Sequence, residues 1–530
     1  MKKTGLSIIL ASVLVLSACA GGGTAPAQAP TGGAAPTAGT DAAGTDTVDA
    51  GQDQNRHLVV LAPAFPISMD TTLANDFNSS LVNRQFAETL VIFDGPDFNV
   101  IPHLAESWHM PDAETLVMNL RQGVLFHNGD EMRASDVKFS IERALDSPPV
   151  RVIFEAIRDV DVIDDFTVQI NMNFPFAPIL GHLTHLGSAV ISERAVLEAG
   201  DEYVNHPIGT GPFMFDSMSL GDQVNLVRFE DYWGDAPQID SLAIRVVPEA
   251  ANRLIEIETG AGHIAFDISP HNIPRMQEDP NLAYDRAGNI RVHFVGFNTQ
   301  YGPLQDMRVR QAINYALNVD AIVDNVFVGL GWPVHGPLVG IDGAASPEPF
   351  EFNLDRAREL LAEAGYADGF SLELWSNVAS QQDTDIGIII QNMLAQVDID
   401  VSLVTLEFAT FMEGINNGQH GMYATGWTNV SADPDYGLTP LFHSSNFGGA
   451  GNRMFFSNPE VDRLLDLGRQ ELDWNVRYEI YQEVQHILRD EAPAVFIWQS
   501  EELVGISPDL NGFVNFPIRT PRFKTVFFGN

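Results

Sequence analysis

The segment IPHLAESWHMPDAETLVMNLRQGVLFHNGDEMRASDVKFSIERAL, residues 101–145, contains the patterns that decide the fold class of this chain. Gly123 and the pair Asn128-Gly129 suit tight turns between extended segments. Ser135 is then expected to cap a helix, which Pro148 would stop. The apolar residues of that helix share one face: Val137, Ile141, Ala144 and Leu145. We expect His127 to have a structural role rather than to contact a ligand.

Strand-like and helical patterns alternate on both sides of this segment. HLVVLAP (His57–Pro63) predicts a first strand, and the chain is expected to enter another strand around His293–Thr299. Gly365 suits the left-handed end of a helix, and Asn458 followed by Pro459 suits the start of another. This alternation predicts an α/β fold rather than a solenoid or an all-β sandwich.

Further segments resemble one family in the same order: HPIGTGPFMF (206–215), FEDYWGDAPQIDSLAIRVV (229–247), GFNTQYGPLQDMRVRQAINYALNVDAIV (296–323) and GWTNVSADPDYGLTPLF (426–442). Together with residues 101–145 they resemble the family 5 extracellular solute-binding proteins of bacterial ABC importers, which include dipeptide and oligopeptide binders. The resemblance extends from His57 to the C-terminus.

The resemblance implies a two-lobe fold of the periplasmic-binding-protein kind (type II, large cluster with an extra subdomain) with a hinge between the lobes. Within a domain of residues 57–530, we expect lobe I to contain residues 57–290 plus 500–530 and lobe II residues 291–499. The chain would cross between lobes near Arg291 and Gln499. The implied role is a non-enzymatic receptor that closes on a solute and delivers it to the permease subunits of the ABC importer.

The N-terminus predicts export and membrane attachment. Lys2 and Lys3 precede an apolar run too short to span a bilayer, as in a signal peptide of residues 1–18. The residues before Cys19 resemble a lipobox, so Cys19, the single cysteine, is expected to carry a lipid. The Gly-, Ala-, Thr- and Pro-rich remainder of residues 19–56 predicts a flexible tether. The protein would then lie at the outer face of the cytoplasmic membrane or in the periplasm.

The charge balance is strongly acidic. The chain has 29 Lys and Arg against 70 Asp and Glu, a formal net charge of -41. A nucleic-acid partner is not expected, because phosphates need a basic surface. The acidity suits saline or alkaline surroundings, or simply a self-repelling, soluble surface. We expect a monomer.

The ligand-binding residues are expected mainly in YATGWTNVSADPDYG (423–437), where Gly426 permits close backbone approach and Trp427 offers an apolar wall. In peptide-binding relatives an aspartate three residues after this tryptophan pairs with the ligand ammonium, but this chain has Val430. Asp433 either supplies that carboxylate or caps a helix. The residues proposed to bind ligand are Trp375, Trp427, Thr428, Asn429, Val430, Ser431 and Asp433.

The ligand class stays open at this stage. Dipeptide-binding relatives have an arginine for the ligand carboxylate in the loop after FSLELW, whereas SNVASQQDTD (376–385) contains none. The leading prediction is a peptide; the alternatives are a glutathione-like ligand, an oligosaccharide or a metal chelate. An extracellular hydrolase is a rival function, although no GxSxG, zinc motif or cysteine nucleophile is present.

No cofactor or resident metal is predicted. His182 and His185 are one helical turn apart, but no HExxH motif or cysteine cluster accompanies them, so buried or solvated roles are favoured. The same holds for the dispersed histidines His103, His109 and His443. We expect Arg308 and Arg310 to form ion pairs rather than to hold a ligand.

Overall fold

The computed structural model describes residues 56–529 except 328–329, 342, 344, 346 and 379–380. The predicted signal peptide, Cys19 and almost all of the predicted tether lie outside the described residues. Arg56, the last residue of that predicted tether, is held to Asp240: its Nη2 lies 3.1 Å from Asp240 Oδ1. No helix in the described part of the chain is long and apolar enough to cross a bilayer.

The strands follow one another along the chain. They are β1 (His57–Ala62), β2 (Val91–Phe93), β3 (Val100–Pro102), β4 (Ala105–Asp112), β5 (Thr115–Leu120), β6 (Ile157–Asp164), β7 (Thr167–Met172), β8 (Phe213–Ser219), β9 (Gln223–Arg228), β10 (Ser241–Val246), β11 (Ile264–Ala265), β12 (Ala283–Phe297), β13 (Trp332–Pro333), β14 (Phe370–Asn377), β15 (Ile399–Leu406), β16 (Met422–Thr428), β17 (Ala494–Ile506), β18 (Leu510–Asn511) and β19 (Phe527–Phe528).

The helices are interspersed with these strands, as the sequence predicts. They are α1 (Phe77–Phe86), α2 (Ala134–Asp146), α3 (Arg151–Phe154), α4 (Ile179–His182), α5 (Glu193–Ala199), α6 (Ala250–Glu258), α7 (Ile273–Glu278), α8 (Met307–Ala316), α9 (Val319–Phe327), α10 (Leu354–Glu363), α11 (Gln381–Leu394), α12 (Phe408–Asn416), α13 (Pro434–Phe442), α14 (Pro459–Gln470) and α15 (Trp474–Glu491). The α/β class is confirmed.

One large sheet connects the two predicted lobes, with strand order β15-β14-β16-β12-β17-β11-β1-β10-β9-β8. The long strands β12 and β17 are antiparallel partners, and their pairing is interrupted between Gly288 and Val292. β14 pairs in parallel with β15 and β16, while β1 pairs in parallel with β10 and β11. The interruption lies where the sequence predicts the chain to cross between lobes; the hinge itself stays a prediction.

A second sheet, with order β4-β5-β7-β6, forms a separate layer against α2. Its buried strand residues and the apolar face of α2 belong to one core, which includes Leu116, Val137, Ile141 and Ala144. This core is built from residues of the predicted lobe I, with one buried residue, Tyr436, added from lobe II. Another core in lobe II packs α8, α10 and α11 against β14 and β15. Burial of these apolar faces is the main stabilising contribution to each layer.

The helix ends test the capping predictions. Gly365 has φ of +87° just after α10, and the Asn458 side chain accepts from the backbone N–H groups of Glu460 and Val461, so both predictions are confirmed. The prediction for Ser135 is wrong, because α2 begins at Ala134. The carboxylate of Asp136 instead accepts from the Arg133 N–H at 2.9 Å. An acidic residue in the first turn therefore fixes the helix start.

The predicted ion pairs of Arg308 and Arg310 are present. Arg308 pairs with Asp306 at 2.6 Å, and Arg310 pairs with Glu491 at 3.1 Å. The structural role expected for His127 is also confirmed. Its Nε2 lies 2.9 Å from the Gly211 carbonyl oxygen, and its Nδ1 accepts from the Gly209 N–H, so it holds the loop before β8.

Candidate functional site

A cavity of about 280 Å³ lies between segments of lobe I and lobe II, and we call it the interlobe cavity. Lobe I contributes the start of α1, the loop after α4 and the C-terminal segment; lobe II contributes one residue of β12 and the end of β16 with the residues after it. The lining residues are Asn75, Asp76, Phe77, Ser80, Arg84, Thr184, His185, Leu186, Arg291, Thr428, Val430, Ile518, Arg519 and Thr520.

Strand pairing positions the cation on the lobe II side. Arg291 and Thr428 are opposite each other in the β12–β16 ladder, and Arg291 Nη1 donates to Thr428 Oγ1 at 3.1 Å. Arg291 Nε donates to His293 Nε2 at 3.3 Å. A Cβ on Gly426 would lie 2.7 Å from Arg291 Nε, so the glycine leaves the space that the guanidinium fills. Burial lowers the pKa of Arg291, and the charge of Asp383 opposes that shift.

Two further arginines face the cavity from lobe I. Arg519 Nη2 lies 2.8 Å from Asp267 Oδ1, and its Nε lies 2.7 Å from Glu502 Oε2. Arg84, on α1, has a buried Nε without a hydrogen-bond partner. Burial, with a contribution from Arg522, lowers the pKa of Arg84 to about 9. An anion in the cavity would supply the interaction that this guanidinium lacks.

An acidic group lies on the same lobe I side. Asp76 is the N-cap of α1, and its Oδ1 accepts from the Ser79 N–H at 3.0 Å. Its Oδ2 is buried and has no hydrogen-bond partner. Because a buried carboxylate oxygen is costly to leave unsatisfied, it is suited to receive a donor from a bound solute. The site therefore combines arginines with one available carboxylate oxygen.

Of the residues predicted to bind ligand, Thr428 and Val430 line the interlobe cavity, whereas Trp427 does not. Successive strand side chains point to opposite faces, so Trp427 is directed away from Thr428. Its indole Nε1 donates to the Tyr436 carbonyl oxygen at 2.9 Å, and its ring packs against core residues of both lobes. Contact between Trp427 and a ligand stays a prediction.

The polar residues of the same loop bind one another. Asn429 Nδ2 donates to the Asp433 carbonyl oxygen at 2.9 Å. Ser431 is buried beside lobe I, where a Cβ on Gly181 would lie 2.7 Å from the Ser431 carbonyl oxygen. Asp433 caps α13, which confirms the capping alternative, and it forms a bidentate ion pair with Arg477 at 2.7 and 3.0 Å. Its proposed contact with a ligand amine is a separate prediction.

Trp375 lies away from the interlobe cavity. Its indole Nε1 donates to Glu373 Oε2 at 2.9 Å, and its ring packs against Gly414, where a Cβ would lie 2.4 Å from the indole. On this structure Trp375 stabilises the packing of α12 on β14. A role in ligand binding stays a prediction for this residue.

Direct contacts join the lobes beside the cavity. Arg469, on α14, pairs with Glu155 of lobe I at 3.1 Å. The guanidinium also lies 5.2 Å from the ring centroid of Phe174 and 5.4 Å from that of Phe176. The backbone carbonyl of Arg469 accepts from the Ala177 N–H at 3.0 Å. These contacts describe a closed arrangement of the two lobes.

Several of the histidines that were considered as metal ligands form hydrogen bonds or ion pairs with protein groups. His182 is buried, with Nδ1 2.5 Å from the Ile153 carbonyl oxygen, and His103 binds Glu88 at 2.9 Å. His185 Nε2 lies 3.0 Å from Asn75 Oδ1, and burial with the charge of Arg84 lowers its pKa to about 3. Among the residues that the structure describes, no three His, Cys, Asp or Glu side chains are grouped as metal ligands.

The lobe I residues Asp76, Arg84 and Arg519 are absent from the sequence prediction. Each comes from a different part of the fold than the Trp427 loop, and only the tertiary structure places them around one cavity. The residues DFNSS (Asp76–Ser80) carry a helix-cap pattern, but that pattern predicts a helix start rather than a binding site.

A cavity between two α/β lobes, lined by both and with contacts across the cleft, is the arrangement in which two-lobed solute-binding proteins enclose a ligand. The family model for bacterial extracellular solute-binding proteins, family 5 (middle), matches residues 99–449. This chain belongs to that family.

Individual relatives agree with this assignment. The chain is 31% identical to the glutathione-binding protein GsiB of Pectobacterium atrosepticum over 463 residues, which cover 85% of this chain and 90% of the relative. GsiB of Salmonella typhi is 31% identical over 475 residues, with 87% and 92% covered.

Solved structures are similar over nearly the whole described domain. The periplasmic binding protein DppA of Helicobacter pylori, in complex with peptide STSA, has a TM-score of 0.81 and 26% identity, with 89% of this chain and 98% of that chain covered. HbpA2 of Haemophilus parasuis has a TM-score of 0.78 and 28% identity, with 89% and 100% covered. The two-lobe periplasmic-binding-protein fold is therefore confirmed.

Proposed function

We propose that this chain is the lipid-anchored, extracytoplasmic solute-binding component of an ABC importer and that it captures a short, carboxylate-bearing peptide of the glutathione type. The observation that carries the proposal is the interlobe cavity with Arg84 and Arg291 in its lining; Arg519 also lines it but already pairs with Asp267 and Glu502. Guanidinium groups bind carboxylates through charge-assisted hydrogen bonds. Relatives named as glutathione binders, and one solved with a peptide, support the same ligand class.

The peptide ammonium is assigned to Asp76 in this proposal. Val430 offers no charge partner, and both carboxylate oxygens of Asp433 already bind Arg477. Asp76 Oδ2 is the carboxylate oxygen in the cavity lining that lacks a partner. The solute would then lie with its ammonium towards the start of α1 and a carboxylate towards Arg291.

Calorimetry with ligand-free protein tests these assignments. The probes are reduced glutathione, its N-acetyl derivative, and an equimolar mixture of tri- and tetrapeptides. We expect Asp76→Asn to weaken glutathione binding by about 1–3 kcal/mol while the acetylated probe is unaffected, because asparagine keeps the helix cap and removes only the charge. Arg291→Gln should weaken both probes by a similar amount.

Arg356→Gln is the matched control, since Arg356 lies on an exposed face of α10 and pairs with Glu359. Binding of neither glutathione nor any member of the peptide mixture by folded protein would overturn the proposed ligand class. A loss in Arg356→Gln as large as that in Arg291→Gln would show that the effect is not specific to the cavity.

The proposed role is reversible binding rather than hydrolysis. Incubation with the peptide mixture should deplete one or more peptides from solution without producing fragments. Fragments that appear in proportion to the amount of protein would support the rival hydrolase instead.

A further inference from the structure

A second cavity, of about 540 Å³, lies next to the interlobe cavity, and we call it the lobe I cavity. Its walls come from the β2–β3 hairpin, the residues around Trp233, and the C-terminal segment, so every wall belongs to lobe I. Ile92, Ile101 and Phe516 make much of the surface apolar. Arg84 lines both cavities, which makes it the boundary between them.

The lobe I cavity is rich in cations in a chain that is poor in them. Arg84, Arg522 and Lys524 all line it, although the whole chain has only 29 Lys and Arg against 70 Asp and Glu. Lys524 Nζ lies 5.4 Å from the ring centroid of Tyr232. These three basic side chains outnumber the two acidic ones in the lining, Glu88 and Asp235, so the lining has a net positive charge inside an acidic protein.

The buried carboxylate in this cavity is already satisfied. Glu88 accepts hydrogen bonds from Tyr232 at 2.7 Å, from Trp233 and Thr210 at 2.9 Å each, and lies 2.9 Å from His103 Nε2. Burial alone would raise the pKa of Glu88, but the interactions with His103, Trp233 and Tyr232 outweigh it and lower the pKa. Glu88 is therefore an ionised carboxylate that holds His103, Tyr232 and Trp233 in place in the cavity wall.

The two arginines are left without such partners. Neither Arg84 nor Arg522 forms an ion pair with a described residue, and Arg84 Nε is buried without a hydrogen-bond acceptor. Burial lowers the pKa of both arginines, although Glu88 opposes the shift at Arg522. Two guanidinium groups beside apolar walls match a carboxylate on an apolar arm.

We propose that the lobe I cavity binds a carboxylate of the transported solute through Arg84 and Arg522, with neighbouring carbon atoms of the solute against the apolar wall. This inference rests on the proposed function in that the solute also occupies the interlobe cavity. Because no wall of the lobe I cavity belongs to lobe II, its binding does not require closure. That carboxylate is captured first, and closure then encloses the rest of the solute.

A small probe tests this site separately from peptide capture. The probe is 3-phenylpropionate, which has a carboxylate on an apolar arm, and 3-phenylpropionamide is its neutral counterpart. Titration calorimetry on the ligand-free full chain should show binding of the acid at least about tenfold tighter than that of the amide, as expected for charge-assisted hydrogen bonds. Equal binding of acid and amide, or binding of neither, would overturn the inference.

Probe binding by substituted proteins then shows which residues hold the carboxylate. Arg522→Gln should remove the preference for the acid, Arg522→Lys should restore part of it, and the exposed control Arg356→Gln should change nothing. Arg291→Gln, which alters only the interlobe cavity, should leave probe binding unchanged while weakening glutathione. Thermal unfolding and circular dichroism establish that each variant is folded. An unchanged preference in folded Arg522→Gln would overturn the inference even if glutathione binds as proposed.

Discussion

Arg477 binds both carboxylate oxygens of Asp433, Nη2 to Oδ1 at 2.7 Å and Nη1 to Oδ2 at 3.0 Å, and both side chains are largely buried. The same carboxylate accepts from the Asp435 N–H and so caps α13. Asp433 thus joins the Trp427 loop to α15 and fixes the direction of α13. This geometry gives Asp433 a structural role, while its contact with a solute ammonium stays a prediction.

Asp433→Asn should therefore lower the free energy of unfolding by about 3 kcal/mol, because Arg477 would remain buried without its counter-charge. It should leave the difference in affinity between free and N-acetylated glutathione unchanged. Denaturant unfolding and calorimetry measure the two quantities. A selective loss of the free-amine ligand would contradict this prediction and return the ammonium to Asp433.

Arg477→Gln and the double variant provide the control for that prediction. If the two side chains act on stability mainly through each other, the double variant should lose less than the sum of the single losses. Additive losses would show that the ion pair contributes little.

Trp427→Ala should weaken binding of any solute by about 1–3 kcal/mol. The reason drawn from the structure is indirect: the indole packs against both lobes and holds the Tyr436 carbonyl, so its loss destabilises the closed arrangement. Calorimetry with glutathione and with its N-acetyl derivative should show equal losses. A loss confined to one probe would indicate direct contact instead.

Local patterns in the sequence predicted much of the fold. Strand β1 begins at the predicted His57 and ends at Ala62, one residue before the predicted Pro63, and the cap residues Gly365 and Asn458 act as expected. The prediction for Ser135 failed because the neighbouring Ser135 and Asp136 both suit the start of a helix. The Asp136 carboxylate fixed the helix start two residues earlier than a Ser135 cap implies. Such short-range competition is hard to resolve from residue type alone.

The candidate site was less predictable, and the reason is geometric. Strand alternation places the side chains of Trp427 and Thr428 on opposite faces, so the side chains of consecutive residues cannot all line one cavity. Asp76 and Arg84 lie at the two ends of α1, whereas Arg519 comes from the C-terminal segment, and only the folded lobe brings that segment to the helix. Their residue types suit many roles, so no local pattern identifies them.

Acid should destabilise the protein through His127. The imidazole accepts the Gly209 N–H and lies against the Gly211 carbonyl, and burial lowers its pKa to about 4, although the Gly211 hydrogen bond opposes the shift. Between pH of about 6.5 and 4 the unfolded chain binds a proton that the folded chain does not, so stability falls as pH falls. The loss should reach about 3 kcal/mol.

Comparison with His127→Gln isolates this effect from other groups. Glutamine cannot take up the proton, so the difference in unfolding free energy between wild type and variant should shrink on acidification. Chemical unfolding at several pH values measures it. A constant difference across that range would contradict the assignment.

Cys19→Ser should release the protein from the membrane, because the sequence predicts that the lipid on Cys19 is the anchor. Cell fractionation followed by a high-salt wash should recover the variant in the soluble exported fraction. Retention equal to that of the wild type would contradict the lipid-anchor prediction. Cys19→Ala gives a second variant that also cannot accept a thioether-linked lipid.

Arg469→Gln should shift the protein towards an open arrangement. The residue pairs with Glu155 across the lobes and lies over Phe174 and Phe176, and these contacts exist only when the lobes meet. Its replacement also removes a contact of 3.4 Å with Asp435 of the same lobe, which the open and closed arrangements share. Because binding selects the closed form, glutathione affinity should fall by about 1–2 kcal/mol.

Small-angle scattering of Arg469→Gln without glutathione should give a larger radius of gyration than for wild type, and saturating glutathione should reduce it. Arg463→Gln, on the exposed face of the same helix, should change neither quantity. An unchanged radius of gyration in folded Arg469→Gln, with and without glutathione, would contradict closure by this contact.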